Sequence, residues 1–261
     1  MGFDEATSRR VEAAYTSADV VGQRRAVLAM LGLAAGDRVL DVGAGPGFLT
    51  AEMAETVGAQ GKVVGLEPSE SMRALAERRE LPAGSAPVRH VDGDATALPF
   101  GNHEFDVVTS TQVYEYVADM PAALAEARRV LRPGGRLLVL DTDWDSIVWH
   151  SSDPARMRRI LTTWDQHLAD PYLPRHLPRL LRDAGFTLRE VRTLPLLTAG
   201  WNESTFVAGL IGFVSAFVPG RDGITAEEVT AWADDLRGMG EDFFFSLNRY
   251  LFLADAPFRR R

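Results

Sequence analysis

The stretch LDVGAGPGFLTAEMA, Leu40 to Ala54, decides how the rest of the chain is read. An apolar run carries the acid Asp41 near its end. Three glycines, Gly43, Gly45 and Gly47, then alternate with other residues before a helical pattern begins. A glycine turn after a buried strand lets a ligand lie against bare backbone and the N-terminus of the next helix. Dinucleotide enzymes place G-x-G-x-x-G there. Here the pattern is G-x-G-x-G, and Phe48 stands where the third dinucleotide glycine belongs, which weakens a nicotinamide reading.

Working outward, short apolar runs alternate with helical patterns up to about residue 140. The runs are RVLDV (38–42), KVVGL (62–66), PVRHV (87–91), FDVVTS (105–110) and GRLLVL (135–140). They lack a polar alternation, as expected of strands buried on both faces of a parallel sheet. Between them, DMPAALAEARRVLRPGG offers Asp119 as a cap, Pro121 in the first turn and a stop at Pro133-Gly134-Gly135. Strand–helix repetition of this kind predicts an α/β, Rossmann-like, doubly wound sheet. After residue 140 come a helix ending at RDAGF, a strand in FTLREVRTL, and WNESTFVAGLIGFVSAFV, which is apolar nearly all round. TAEEVTAWADDLRGMG follows, with a capping box of Thr225 and Glu228, and FFFSLNRYLFLADAP makes a final strand. The expectation is one domain over 1–261 with an insertion between its last two strands. Its parts are a helical segment (1–35), a core (36–141), substrate-side helices and cap (142–200 and 201–240) and a last strand (241–256).

The chain has 261 residues, is 46% hydrophobic and 25% charged, and carries a formal charge of −8. That surplus of acid argues against nucleic acid as the main partner. With no cysteine, disulfides, thiolate nucleophiles and cysteine-held metals are excluded. The polar start MGFDEATSRR lacks the apolar core of a signal peptide. The longest apolar run, Phe206 to Val218, falls short of the ~18 residues of a membrane helix. A cytoplasmic protein without membrane insertion is expected, with a homodimer as a candidate assembly.

Two further acids sharpen the reading. Glu67 closes the second strand twenty residues after Gly47, where a carboxylate can accept both hydroxyls of a ribose. In VDGDATALPF, Asp94 stands just past the third strand, placed for an adenine amino group; as a plain turn former it would do nothing more than close the loop.

Four motifs in order then resemble a known family. Asp41-Val42-Gly43-Ala44-Gly45-Pro46-Gly47, Glu67-Pro68-Ser69 with Met72, Gly93-Asp94-Ala95 with Leu98-Pro99-Phe100, and FDVVTSTQVYEYVADMPAALAEARRVLRPGGRLLV are similar to class I S-adenosylmethionine-dependent methyltransferases. The nearest subgroup is the ubiquinone/menaquinone-biosynthesis type, and the likeness covers roughly residues 11 to 140. It implies a seven-stranded sheet, mostly parallel with an antiparallel last strand, plus a helical cap. It implies S-adenosyl-L-methionine as cofactor and S-adenosyl-L-homocysteine as product. Asp41, Gly43, Gly45 and Gly47 would lie along the methionine part, and Glu67 would bind the ribose. Pro68, Ser69 and Met72 would flank the adenine, and Gly93, Asp94 and Ala95 would form its amino-group side. Thr111 and Gln112 would flank the sulfonium, while Tyr15 and Gln23 would reach the carboxylate. Where many relatives carry Glu-His, this chain has Glu115-Tyr116, so a histidine mechanism at that point is in doubt.

An activated methyl needs orientation more than covalent help, which can supply ~7–11 kcal/mol of barrier reduction. In-line SN2 displacement is the expected chemistry, with a base needed only if the acceptor must lose a proton. His150 is the first candidate base, because DTDWDSIVWH leaves the fifth strand at the carboxyl edge; Tyr114 is second. His167, His176, Glu115, Asp143 and Asp145 complete the set, each also explicable as surface or packing. No metal-ligand spacing occurs; Asp141, Asp143 and Asp145 lack the rest of a calcium loop. Phe206, Leu210, Phe213 and Phe217 share one helical face and Val207, Ile211 and Val214 the other, so that helix needs two apolar surfaces. One is core; the other is expected to face a hydrophobic, aromatic or polyketide-like small molecule. Rival readings are a fold-retaining enzyme catalysing cyclisation or hydroxylation, a nicotinamide oxidoreductase, and a non-catalytic binding module.

Overall fold

A computed structural model describes residues 15–258. The first part of the expected closing segment, 1–14, and the basic tail at 259–261 lie outside the described residues. The chain runs α1 (Ala18–Leu31), β1 (Arg38–Val42), α2 (Phe48–Val57), β2 (Lys62–Leu66), α3 (Glu70–Glu77), β3 (Val88–Val91) and β4 (Phe105–Thr111). It continues with α4 (Met120–Val130), β5 (Leu131–Trp149), α5 (Pro154–Trp164), α6 (Leu173–Asp183) and β6 (Thr187–Ala199), and closes with α7 (Phe206–Phe217), α8 (Ala226–Gly238) and β7 (Phe244–Asp255).

The seven strands form one sheet in the order β3-β2-β1-β4-β5-β7-β6. The first five are mutually parallel, and β7 runs antiparallel to both β5 and β6. β1, β2 and β4 are buried almost throughout because helices cover both faces, which is why they read as unbroken apolar runs. One face packs under α4 and α6 and the other under α1 and α2. Strand order reverses between β1 and β4, and ligands of doubly wound sheets bind at the carboxyl ends beside that reversal.

Helix boundaries follow the expected signals. Ser17 accepts from Val20 N at the start of α1, and Gly32 ends it in the left-handed region at φ 55°. Asp119 caps α4 with Pro121 in its first turn, and Thr225 caps α8 by accepting from Glu228 N.

The C-terminal half departs from expectation in one respect. The fifth strand was expected over 135–140, yet β5 begins at Leu131, passes through Pro133-Gly134-Gly135 with a register shift, and runs on to Trp149. The cause is β7, which pairs with β5 from Asp255 down to Phe245 and holds residues 142–149 extended. Segment 142–149 is therefore strand rather than substrate-side helix, and the strand expected in FTLREVRTL forms as β6, running on to Ala199. The overshooting strands carry a third apolar cluster, in which Trp144, Trp149 and Phe245 meet α5, α7 and α8. α7 and α8 lie between β6 and β7, where the insertion was expected. In α7 the face Val207, Leu210, Ile211 and Val214 is buried, whereas Phe206, Phe213 and Phe217 are half-buried on the other side.

Candidate active site

The turn after β1 is shaped for close approach. Gly43, Gly45 and Gly47 all have positive φ, at 75°, 52° and 78°. A Cβ on Gly43 would stand 2.1 Å from Val113 Cγ2, and one on Gly47 would stand 2.7 Å from Ala76 Cβ. Gly43 N and Ala44 N both donate to Leu66 O, which ties the turn to the end of β2. There the Glu67 carboxylate spans two elements: Oε2 accepts from Gly45 N at 3.0 Å and Oε1 from Ser69 N at 2.9 Å. Burial raises the Glu67 pKa, with the two backbone hydrogen bonds opposing. Ser69 caps α3 by accepting from Met72 N, and Met72 is buried beneath it while Pro68 is exposed. Gly93 packs against Leu66, Ala95 is buried, and Asp94 Oδ1 accepts from both Thr96 N and Thr96 Oγ1. Asp94 thus closes the turn after β3 through Oδ1.

Asp41 lies under the turn, 1% exposed. Its Oδ2 accepts from Thr50 Oγ1 at 2.9 Å, while Oδ1 is buried without a partner. Burial pushes its pKa up to about 7, the Thr50 hydrogen bond opposing and the Glu67 charge adding. Across the strand reversal, Thr111 ends β4 and Gln112 takes a left-handed φ of 57°, rare for a residue with a side chain. Gln112 N donates to Leu140 O, and its Oε1 accepts from Thr142 Oγ1 at 2.6 Å. Val113 N donates to Asp141 Oδ1, whose Oδ2 is buried with no partner. Glu115 Oε2 accepts from Trp144 Nε1 at 3.1 Å and Thr142 N at 3.3 Å. Burial lifts Glu115 to about 7 and Asp141 well above the carboxylate range.

Four buried acids, Asp41, Glu67, Glu115 and Asp141, therefore gather at the strand ends with the buried cation Arg249, while a second, Arg24, bonds Glu52 and Tyr15 O beside the turn. Arg249 donates to Gln23 Oε1, and Tyr15 stacks on Phe48 beside the turn. An enclosure this rich in acid, with orphaned carboxylate oxygens on two of them, fits a ligand that brings ammonium and sulfonium charge.

The first-choice base is not brought there. With Thr142 opposite Arg249 and His150 N bonded to Phe244 O, His150 lies five residues further along β7, ~17 Å away, and is exposed. The long β5 is the reason. Tyr114 is 1% exposed in the core under α4 and α6, where burial raises its pKa, so it is held protonated. Asp143 and Asp145 are engaged by Arg175, and His176 by Asp170. His167 is different. Its ring lies 3.7 Å from that of Trp164 and 5.6 to 5.7 Å from those of Phe217, Trp144 and Tyr116. Its Nδ1 faces Trp164 O, which can only accept, so Nδ1 carries the hydrogen and Nε2 keeps its lone pair. Nε2 is buried with no partner, and burial lowers the pKa to about 4.

A methyltransferase-domain family model matches residues 40–139, the span from the glycine turn to β5. Over that span, which is under half of the 261 residues, the chain is similar to a methyltransferase domain. A relative named 2-phytyl-1,4-naphtoquinone methyltransferase, from Synechocystis, is 40% identical over 111 residues, 42% of this chain and 47% of that protein. The chain spans about half the length of the curated relatives it matches. Among solved structures, a methyltransferase from Bacillus halodurans, itself described as unproven, superposes with a TM-score of 0.64 at 19% identity over 90% of this chain and 99% of that one. The [4+2]-cyclase SpnF gives 0.59 at 22% identity over 99% and 84%. These likenesses establish the fold; one fold hosts several chemistries. Gln23, His167 and Arg249 fall outside the methyltransferase-domain match. The sequence signal for Arg249 is that it interrupts Phe245, Leu247, Leu251, the buried alternation of β7.

Proposed function

We propose that the protein transfers a methyl group from S-adenosylmethionine to a hydrophobic, aromatic or polyketide-like small molecule. The observation that carries this is the Glu67 carboxylate bridging Gly45 N and Ser69 N, facing Asp41 with its orphaned oxygen, inside the span similar to a methyltransferase domain. When bound, the cofactor supplies an electrophilic methyl group. Asp41 would hold its ammonium, Glu67 its ribose hydroxyls, and Met72 and Ala95 the apolar surface of its base. Glu115 and Asp141 stand beside Gln112, where a bound positive charge would favour their ionised forms.

On the acceptor side, Trp144, Trp164, Phe217 and Tyr116 wall His167. Tyr116 occupies the place where relatives carry histidine, and His167 packs on it from the end of α5. His167 therefore replaces His150 as the base in this proposal: a neutral ring with a fixed tautomer whose Nε2 can accept a proton from an acceptor hydroxyl. The aromatic walls exclude water and select flat, apolar rings.

The test is to incubate the protein with methyl-labelled cofactor and a panel of naphthols and hydroquinones. Label in an acceptor with equimolar S-adenosylhomocysteine supports the proposal. A product without S-adenosylhomocysteine points to a non-methylating reaction on this fold. Failure of every aromatic, with turnover of a polar acceptor, overturns the substrate class.

A further inference from the structure

Arg249 is the anomaly of the described residues. It stands on β7 opposite Thr142 of β5 and Leu194 of β6, and is 4% exposed. A guanidinium has five N–H donors. Here Nη1 meets the neutral amide oxygen of Gln23, the ring of Phe206 lies 4.3 Å from Cζ, and Nε is buried with no partner. Among the described residues no carboxylate pairs with it directly. The ionisable groups that face it are Glu115 and Tyr116 after β4, Asp141 on β5 and Tyr15 before α1, and none of these is bonded to it.

A structural counter-ion for Glu115 and Asp141 is the competing explanation. A buried charge is repaid only where the pairing geometry is good. This chain makes such pairs elsewhere: Arg175 forks onto Asp143 with two bonds of 2.8 Å, and Arg129 forks onto Glu126 at 2.7 Å twice. Arg249 has no such fork, although two acids are near. A planar fork left open at the edge where a ligand enters has the form of a receptor for a planar anion.

We infer that Arg249 is a carboxylate receptor, taking the acid group of a ligand bound at the carboxyl edge of the sheet. This rests on the methyltransferase reading. The carboxylate has two sources: the amino-acid end of the cofactor, which Gln23 would share, or an acid group on the acceptor, which Phe206 would cover. Leaving the fork open in the free protein means that ligand binding satisfies donors that folding does not.

The experiment is calorimetric titration of the full chain and its Arg249→Met and Arg249→Lys variants with four probes. S-adenosylhomocysteine and 5′-methylthioadenosine share the nucleoside but differ in the carboxylate. 2-Naphthoate and 2-naphthalenemethanol, added to protein saturated with S-adenosylhomocysteine, differ in the same way. The inference expects Arg249→Met to weaken one carboxylate probe about ten- to a hundredfold, the range for a hydrogen bond to a charged group, while its uncharged partner is unaffected. Arg249→Lys should recover part of the loss. Loss with S-adenosylhomocysteine assigns the receptor to the cofactor, and loss with naphthoate assigns it to the acceptor. Unchanged binding of all probes, or equal weakening of both members of a pair, overturns the inference, as does a variant that no longer unfolds cooperatively. If the wild-type protein takes up neither nucleoside, the methyltransferase reading itself fails and the inference falls with it.

Discussion

Affinity for S-adenosylhomocysteine should rise with pH, because Asp41 must shed a proton to hold the ligand's ammonium group. Burial is the main reason its carboxyl is pushed from 3.8 to about 7, the Thr50 hydrogen bond opposing and the Glu67 charge adding. Near pH 7 about half of the free protein therefore carries neutral Asp41. An ammonium against the orphaned Oδ1 favours the ionised form, so binding releases a proton. Affinity then follows the ionised fraction of the free protein, rising ~tenfold between about pH 6 and about pH 8. The same shift fixes the sign for stability. The folded pKa lies above the unfolded one, so this group's contribution is full below about pH 4 and is lost as pH rises through about 7. Calorimetric titration in two buffers of different ionisation heat reads both quantities: close to one proton released at the acid end and few at the alkaline end. Asp41→Asn isolates the effect from Glu115, which titrates in the same range. Flat affinity without proton release, or an unaltered slope in Asp41→Asn, would refute the reasoning.

Other consequences are as concrete. Gly43→Ala places a methyl 2.1 Å from Val113 Cγ2 at a φ of +75°, so it should destabilise by ~2–4 kcal/mol and abolish nucleoside binding, read by denaturant unfolding and titration. Thr225→Ala removes the cap on α8 and should cost ~1 kcal/mol without touching nucleoside affinity, since α8 packs in the third apolar cluster. His167 has a folded pKa of about 4 against 6.5 unfolded, so its contribution to stability is present above about pH 6.5 and is lost as pH falls toward 4. His167→Phe keeps the ring stack and should flatten the acid limb of the melting temperature; an unchanged limb would show that Nε2 is not the burdened atom.

How much was legible depends on the distance over which each signal acts. Local signals read well. The strand runs of β1, β2 and β4, the caps Asp119 and Thr225, and the Gly43–Gly47 turn are each decided by neighbours within a few residues. Glu67 stands out because an acid closing an apolar strand is out of place unless something meets it. Non-local pairing was not legible. The length of β5 is imposed by β7, about a hundred residues later, and that length carries His150 away from the edge. His167 reaches Tyr116 only because Ala169 N and Asp170 N both donate to Glu115 O, a contact with no trace in local pattern. Arg249 left a trace, a charge in the buried register of β7, but its meaning required knowing that Thr142 lies opposite.

The central claim is that the Glu67 carboxylate holds the sugar of an adenosyl ligand. Its most direct test compares S-adenosylhomocysteine with its 2′,3′-dideoxy analogue, titrated against wild-type protein and Glu67→Gln. Two hydrogen bonds to a buried carboxylate predict that the wild type prefers the hydroxylated ligand by at least ~tenfold, and that Glu67→Gln loses most of that preference. Equal binding of the two ligands by the wild type, or a preference that survives the substitution, would contradict the account.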